Sequence, residues 1–176
     1  MAFGVASLAI LAALRDNGAD GKLISIDPSQ SDVWGNIGVY HVEQAGHAER
    51  HSLMEEFDFV ALPALLLKDT QIEFAYIDGW HTFDYTLLDF FYIDKMLKEN
   101  GVIGFNDCGW PAVNRAIRYV LSHRHYQELN VGLPKRYLSR SLVRTARNLV
   151  TGTTSSDRYF RKLEQWEPNW DYYKAF

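Results

Sequence analysis

Residues 74–85 read FAYIDGWHTFDY: an apolar run from Phe74 to Ile77 that stops at Asp78-Gly79-Trp80-His81. A short β-rich run cut off by polar residues and a glycine is a buried strand that hands its next residues to the sheet rim. Residues 82–99 then place Phe83, Leu87, Phe90, Phe91, Met96 and Leu97 at helical spacing and stop at Asn100-Gly101, which is helix-ending chemistry. GVIGF at 101–105 is a second β-rich run, ending in Asn106-Asp107-Cys108-Gly109. Strand, helix and strand in this order predict two parallel neighbours whose carboxyl ends open on the same rim.

The same alternation extends toward the N-terminus. KLISI at 22–26 and HSLM at 51–54 are further strands. A helix over 5–15 puts Leu8, Leu11 and Ala12 on one face and ends at Asn17-Gly18, and another over 32–44 leads to Ala45-Gly46. The expected fold is α/β, a Rossmann-like doubly wound and mostly parallel sheet, in which ligands bind beyond the carboxyl ends of the strands. Asp27, Asp78 and Asp107 all stand at such ends and are expected on one rim. Past residue 122 the pattern thins. Residues 126–131 read as a strand and 159–166 as a last strand or a short helix. Arg136, Arg140, Arg144 and Arg147 lie opposite Leu142, Val143 and Leu149 on a basic amphipathic helix, and 151–157 is a polar loop. The expected organisation is one domain over 1–176, with an α/β core at 1–122 and a strand and basic-helix extension at 123–176.

Composition narrows the class. With 176 residues, 47% of them hydrophobic, the chain can bury a core of its own. Its single cysteine, Cys108, forms no internal disulfide, which points to a reducing, cytoplasmic setting. The apolar start MAFGVASLAILAAL lacks the positive flank of a signal peptide, and 59–67 is too short and too interrupted by Pro63 to span a membrane. Residues 1–100 hold 16 acidic and 6 basic side chains, whereas 101–176 hold 6 and 12, so the net charge of -4 hides a basic C-terminal part. That part reads as a solvated face or a contact between copies in a homo-oligomer, with an anionic surface as the second reading and no nucleic-acid partner.

The strand ends carry the candidate chemistry. Asp27 either accepts the hydroxyls of a ribose or forms an Asp-Pro turn with Pro28. Gly4, just before the first helix, gives a cofactor close approach to backbone, although no GxGxxG is present. Asp78 and Asp107, with Asn106 or Cys108 beside the second, offer the oxygen ligands that Mg²⁺ takes, or else cap the helices that follow. His81 is a general base or an ordinary residue at a helix start. Trp80, Trp110 and Tyr85 wall a sugar-like or aromatic substrate or close the core. Cys108 has no base beside it in sequence and does not read as a nucleophile.

Taken in order, FGVAS, LISIDP and FAYIDGWHTFDYTLLDFFYIDKMLKENGVIGFNDCGWPAV resemble the class I S-adenosylmethionine-dependent methyltransferases over about residues 2–120, most of all the small-molecule O-methyltransferase branch of macrolide-sugar, catechol and cephalosporin-hydroxylase-like proteins. IDGWH and GFNDCGWP are the specific parts. The resemblance implies S-adenosylmethionine as cofactor, with Ala2, Phe3 and Gly4 beside its methionine part and Asp27 on its ribose. It places Asp78 at the cofactor and in catalysis with His81, and it implies a Mg²⁺ site at Asp78, Asp107 and Asn106. The acceptor would be the hydroxyl of a small molecule. One departure stands out: the family's first, central strand has no counterpart ahead of Ala2. That predicts an N-terminally truncated chain in which the strands at 22–26 and 72–77 are left unpaired on one side or pair with each other. A nicotinamide-dependent oxidoreductase and an inactive module that binds through its arginine helix are the rival readings.

Overall fold

The computed structural model describes residues 1–133, 143, 146 and 157–176. The four arginines of the expected basic helix and residues 151–156 of the expected loop lie outside the described residues. Two compact units divide the chain, Met1–Ala64 and Leu65–Phe176, the division falling within one helix.

In the first unit, α1 (Val5–Asp16), β1 (Leu23–Ile26), α2 (Ile37–Gln44) and β2 (His51–Met54) follow one another, and β1 pairs with β2 in parallel. Leu11 of α1 and Val42 of α2 are fully buried. The expected helix over 32–44 forms only from Ile37. Gly35 and Asn36 take left-handed backbone, at φ 54° and 60°, and break the helical path before it. The helix α3 (Asp58–Leu67) runs straight through Pro63, so the apolar run at 59–67 is a helix that tolerates its proline.

The second unit contains β3 (Ile72–Ile77), α4 (Phe83–Met96), β4 (Leu97–Phe105), α5 (Pro111–His123), β5 (Tyr126–Leu129) and β6 (Arg158–Lys162). The sheet order is β3-β4-β6-β5: β3 and β4 are parallel, and β6 runs antiparallel to both of its neighbours. This decides 159–166 as a strand at its start. Phe105 packs edge-on against Phe160 at 5.8 Å, and Phe90 packs edge-on against Tyr126 at 5.6 Å, so the core is aromatic where helix meets sheet. Among the described residues, β1 pairs only with β2, and β3 stands at the edge of the four-stranded sheet.

Two expectations for α4 need correction. Its buried face carries Asp89 and Asp94 as well as Phe90, Ile93 and Met96, while Phe91 points outward under the ammonium of Lys95 at 4.7 Å. The helix also ends at Met96 rather than near Glu99. The buried Lys162 of β6 donates to the carbonyl oxygens of Asp94 and Leu97, the latter at 3.0 Å, and so satisfies the helix end early. Leu97 then joins the sheet opposite Ile72, and the chain bulges through Asn100 before Val102 resumes the ladder opposite Phe74.

Asp94 anchors this corner. Its carboxylate accepts from Arg124 Nε at 3.0 Å and Tyr126 Oη at 2.7 Å and lies 3.3 Å from Lys162 Nζ, with all three charged groups buried. Removing one charge from such a group leaves the others unpaired in a poor solvent for ions. Asp94→Asn should therefore cost about 3 kcal/mol or more of unfolding free energy in urea denaturation; a loss below about 1 kcal/mol would show that the two cations are solvated after all.

Candidate functional site

The parallel ladder between β3 and β4 sets Ile77 opposite Phe105, and the Asn106 amide donates to the Ile77 carbonyl at 2.9 Å, one step beyond the strands. Asp78 and the Asn106-Asp107-Cys108 segment therefore leave the sheet side by side. Asp107 takes left-handed backbone at φ 49°, which an aspartate tolerates better than most residues, and its carbonyl accepts from Trp110 at 2.8 Å as α5 begins. His81 follows Asp78 in its loop and turns back between the carboxylates: Nε2 lies 3.4 Å from Asp107 Oδ2 and 3.9 Å from Asp78 Oδ1. Its ring stacks on Trp110 with centroids 5.7 Å apart, and Trp80 stacks on Tyr85 at 5.6 Å.

This arrangement suits proton chemistry. His81 Nε2 is buried and makes no hydrogen bond in the structure. Such a nitrogen can take a proton from an incoming hydroxyl. Burial pushes the Asp78 carboxyl up, the nearby charges of Asp107 and Asp157 add to the rise, and His81 opposes it.

The oxygen ligands expected for Mg²⁺ are only partly assembled. Among the described residues, no group of three or more His, Cys, Asp or Glu side chains is arranged to hold a metal ion. The imidazole lies close to both carboxylates, and Asn106 Nδ2 donates to Asp157 Oδ1 at 2.9 Å and Tyr76 Oη at 3.1 Å, which leaves its Oδ1 as the atom that could meet a cation. Cys108 turns inward, is fully buried and donates to the Phe105 carbonyl at 3.0 Å; burial pushes its thiol up to about 12, so it presents no thiolate. As placed, an imidazole rather than a third oxygen stands beside the two carboxylates.

Sequence reasoning missed Tyr76 and Asp157. Tyr76 donates to Asp157 Oδ2 at 3.1 Å and stacks on Tyr159 at 6.3 Å. Because β6 is antiparallel, with Arg158 opposite Phe105, Asp157 arrives at the carboxyl end of β4 from far along the chain. No local pattern announces that return.

The first unit gathers the other expected residues. Asp27 Oδ2 accepts from the Ala2 amide and from Gln30 Nε2, each at 2.9 Å, and lies 3.0 Å from the Met1 amine; Oδ1 accepts from the Ser29 amide at 2.9 Å. The Ser29 contact is the turn that Asp27-Pro28 suggested. The other bonds make Asp27 a fixed carboxylate as well, and Oδ1 retains capacity for a hydroxyl donor. Gly4 sits at φ 82°, where a Cβ would meet the Gly38 carbonyl oxygen at 2.9 Å, so the loop lies directly on the backbone of α2. Phe3 packs edge-on against Trp34 at 5.2 Å, and its carbonyl contacts His41 Nδ1 at 2.9 Å. These residues fit a nucleoside-type ligand: an ionised acceptor beside a glycine-lined turn.

Comparison with known proteins follows the same lines. A family model described as a methyltransferase domain matches residues 1–108. No curated protein gives a significant match. The fold is similar to that of the O-methyltransferase TomG from Streptomyces achromogenes, involved in tomaymycin synthesis and solved with S-adenosylmethionine: TM-score 0.65 and 14% identity, over 92% of this chain and 70% of that one. An O-methyltransferase from Bacillus cereus, solved with S-adenosylhomocysteine, gives TM-score 0.64 and 12% identity, over 92% and 71%. The TDP-rhamnose 3'-O-methyltransferase CalS11 of calicheamicin biosynthesis gives 0.53 and 20%, over 80% and 57%. At these identities the likeness establishes the Rossmann-like α/β fold.

The Asp27 environment yields a pH dependence. Burial raises its pKa, but the hydrogen bonds from Gln30, Ala2, the terminal amine and Ser29 outweigh burial and hold it at about 2, below the ordinary 3.8. A depressed carboxylate contributes stability that is present above its unfolded value and lost as pH falls toward the folded one. Wild type should therefore exceed Asp27→Asn by about 2 kcal/mol near neutral pH, the gap closing between about pH 4 and pH 2 in paired denaturation curves. A gap that stays constant across that range would contradict the ionised network.

Proposed function

The chain belongs to the methyltransferase domain family, and from that premise we propose that it transfers a methyl group from S-adenosylmethionine to a hydroxyl of a small molecule, a sugar or a phenol. The observation that carries the reading is the imidazole of His81, poised between Asp107 and Asp78 at the ends of two parallel strands. The solved O-methyltransferases of similar fold that hold S-adenosylmethionine or S-adenosylhomocysteine support the choice of cofactor.

When bound, S-adenosylmethionine supplies a methyl group on a positively charged sulfur. Asp27 would accept from its ribose, and Ala2, Phe3 and Gly4 would border its methionine part. His81 Nε2 would take the proton of the acceptor hydroxyl that receives this methyl group. Asp107 and Asp78 would hold the imidazole in place. Trp80 and Trp110, both more than half exposed, offer flat faces for a sugar or aryl ring.

His81→Ala should lower kcat by about 10²-fold or more while leaving the dissociation constant for S-adenosylmethionine within about twofold, since general-base catalysis is worth about 10²–10⁴. Turnover should also persist in EDTA. The contrary result, activity abolished by EDTA and restored by Mg²⁺ while His81→Ala stays active, would move the hydroxyl's activation to a cation held by Asp78, Asp107 and Asn106, as the family resemblance implies.

A further inference from the structure

Gln30 has no role in the sequence reading, yet it is one of the few large polar side chains that are fully buried. Its Nε2 donates at 2.9 Å both to Asp27 Oδ2 and to the Ala2 carbonyl. Two acceptors on one nitrogen fix the amide's orientation, because the flipped form would press an oxygen against a carboxylate. That orientation leaves Oε1 buried without a hydrogen-bond partner, beside Gly38, where a Cβ on residue 38 would come within 2.9 Å of it. The same Cβ would meet the Ala2 carbonyl oxygen at 2.5 Å, so residues 2, 4, 30 and 38 share one tight corner. The backbone of residue 30 adds to it: its carbonyl accepts from the Asn36 amide at 2.7 Å, at the break that precedes α2.

A buried amide with an unsatisfied oxygen carries a desolvation cost, and a protein that keeps one calls for a reason. We propose that Gln30 is a positioning residue of the cofactor site: it orients the Asp27 carboxylate and pins the Ala2–Gly4 turn to it, so that both face the cofactor in one fixed geometry. The inference rests on the proposed roles of Asp27 and Gly4. Gln30 itself need not touch the cofactor; it acts through the two groups that do. Other titratable groups surround this corner: the Met1 amine on Asp27, Glu55 beyond β2 with the Ser31 amide, and His41 of α2 against the Phe3 carbonyl.

The test is calorimetric binding of S-adenosylhomocysteine to wild type, Gln30→Glu and Gln30→Met at about pH 8 and about pH 6. At the higher pH the substituted carboxylate of Gln30→Glu repels Asp27 and donates nothing, so binding should weaken about tenfold or more. Once it takes a proton, favoured by burial and by the like charge beside it, its O–H replaces the amide N–H and binding should recover toward wild type. Gln30→Met fills similar space without a donor and should be weakened about equally at both pH values. The surrounding amine, glutamate and histidine are common to all three proteins, so wild type carries their contribution.

A purely structural role would lower the melting temperature without this pH-dependent rescue. Wild-type binding matched by Gln30→Met, or by Gln30→Glu at both pH values, would overturn the inference; if Gln30→Glu does not melt cooperatively, Gln30→Met decides it. Absence of binding by wild type would instead count against the cofactor reading on which the inference rests.

Discussion

The second unit depends on the register of β3 against β4. Pairing Ile77 with Phe105 ends both strands at one level, and the Asn106 amide on the Ile77 carbonyl carries the ladder a step further. A slip of one residue would exchange the faces of every side chain in the strand and send Asp78 and Asp107 apart. The buried contacts of Ile103, Phe105 and Phe160 hold that register, and a histidine three residues past Asp78 can then reach both carboxylates. Chemistry at the rim is in this sense a consequence of packing beneath it.

The C-terminal strand does more than complete the sheet. β6 brings Lys162 to the end of α4 and Asp157 to the Asn106 and Tyr76 side chains, so one antiparallel strand ties a helix terminus at its own end to the rim at its start. The price of this arrangement is a buried set of charges around Asp94, tolerable because each member has a partner. In the first unit the equivalent economy is at Asp27, where one carboxylate holds the turn after β1 and the backbone ahead of α1 together.

Much of this was legible from local pattern. The runs at 51–54 and 72–77 carry strand composition and form strands with those bounds, and the strand-end positions of Asp78, Asp107 and His81 follow from where the apolar runs stop. What escaped depends on distant pairing. The burial of Asp89 and Asp94 on α4 contradicts their polarity, and for Asp94 the reason is partners found on other elements. The shortened α2 reflects two adjacent left-handed residues, a glycine and an asparagine, the types that adopt that backbone most readily. The Asn106 side chain likewise donates its nitrogen to Asp157, a partner that no reading of neighbours could supply.

The measurement that bears most directly on the central claim is the pH dependence of kcat under saturating S-adenosylmethionine and acceptor, for wild type and His81→Gln. With His81 as the base, the wild-type rate should rise with pH through a single ionisation and then level, and the glutamine variant should be slow and lack that step. An inflection unchanged in position and amplitude by the substitution would place the base elsewhere and contradict the account.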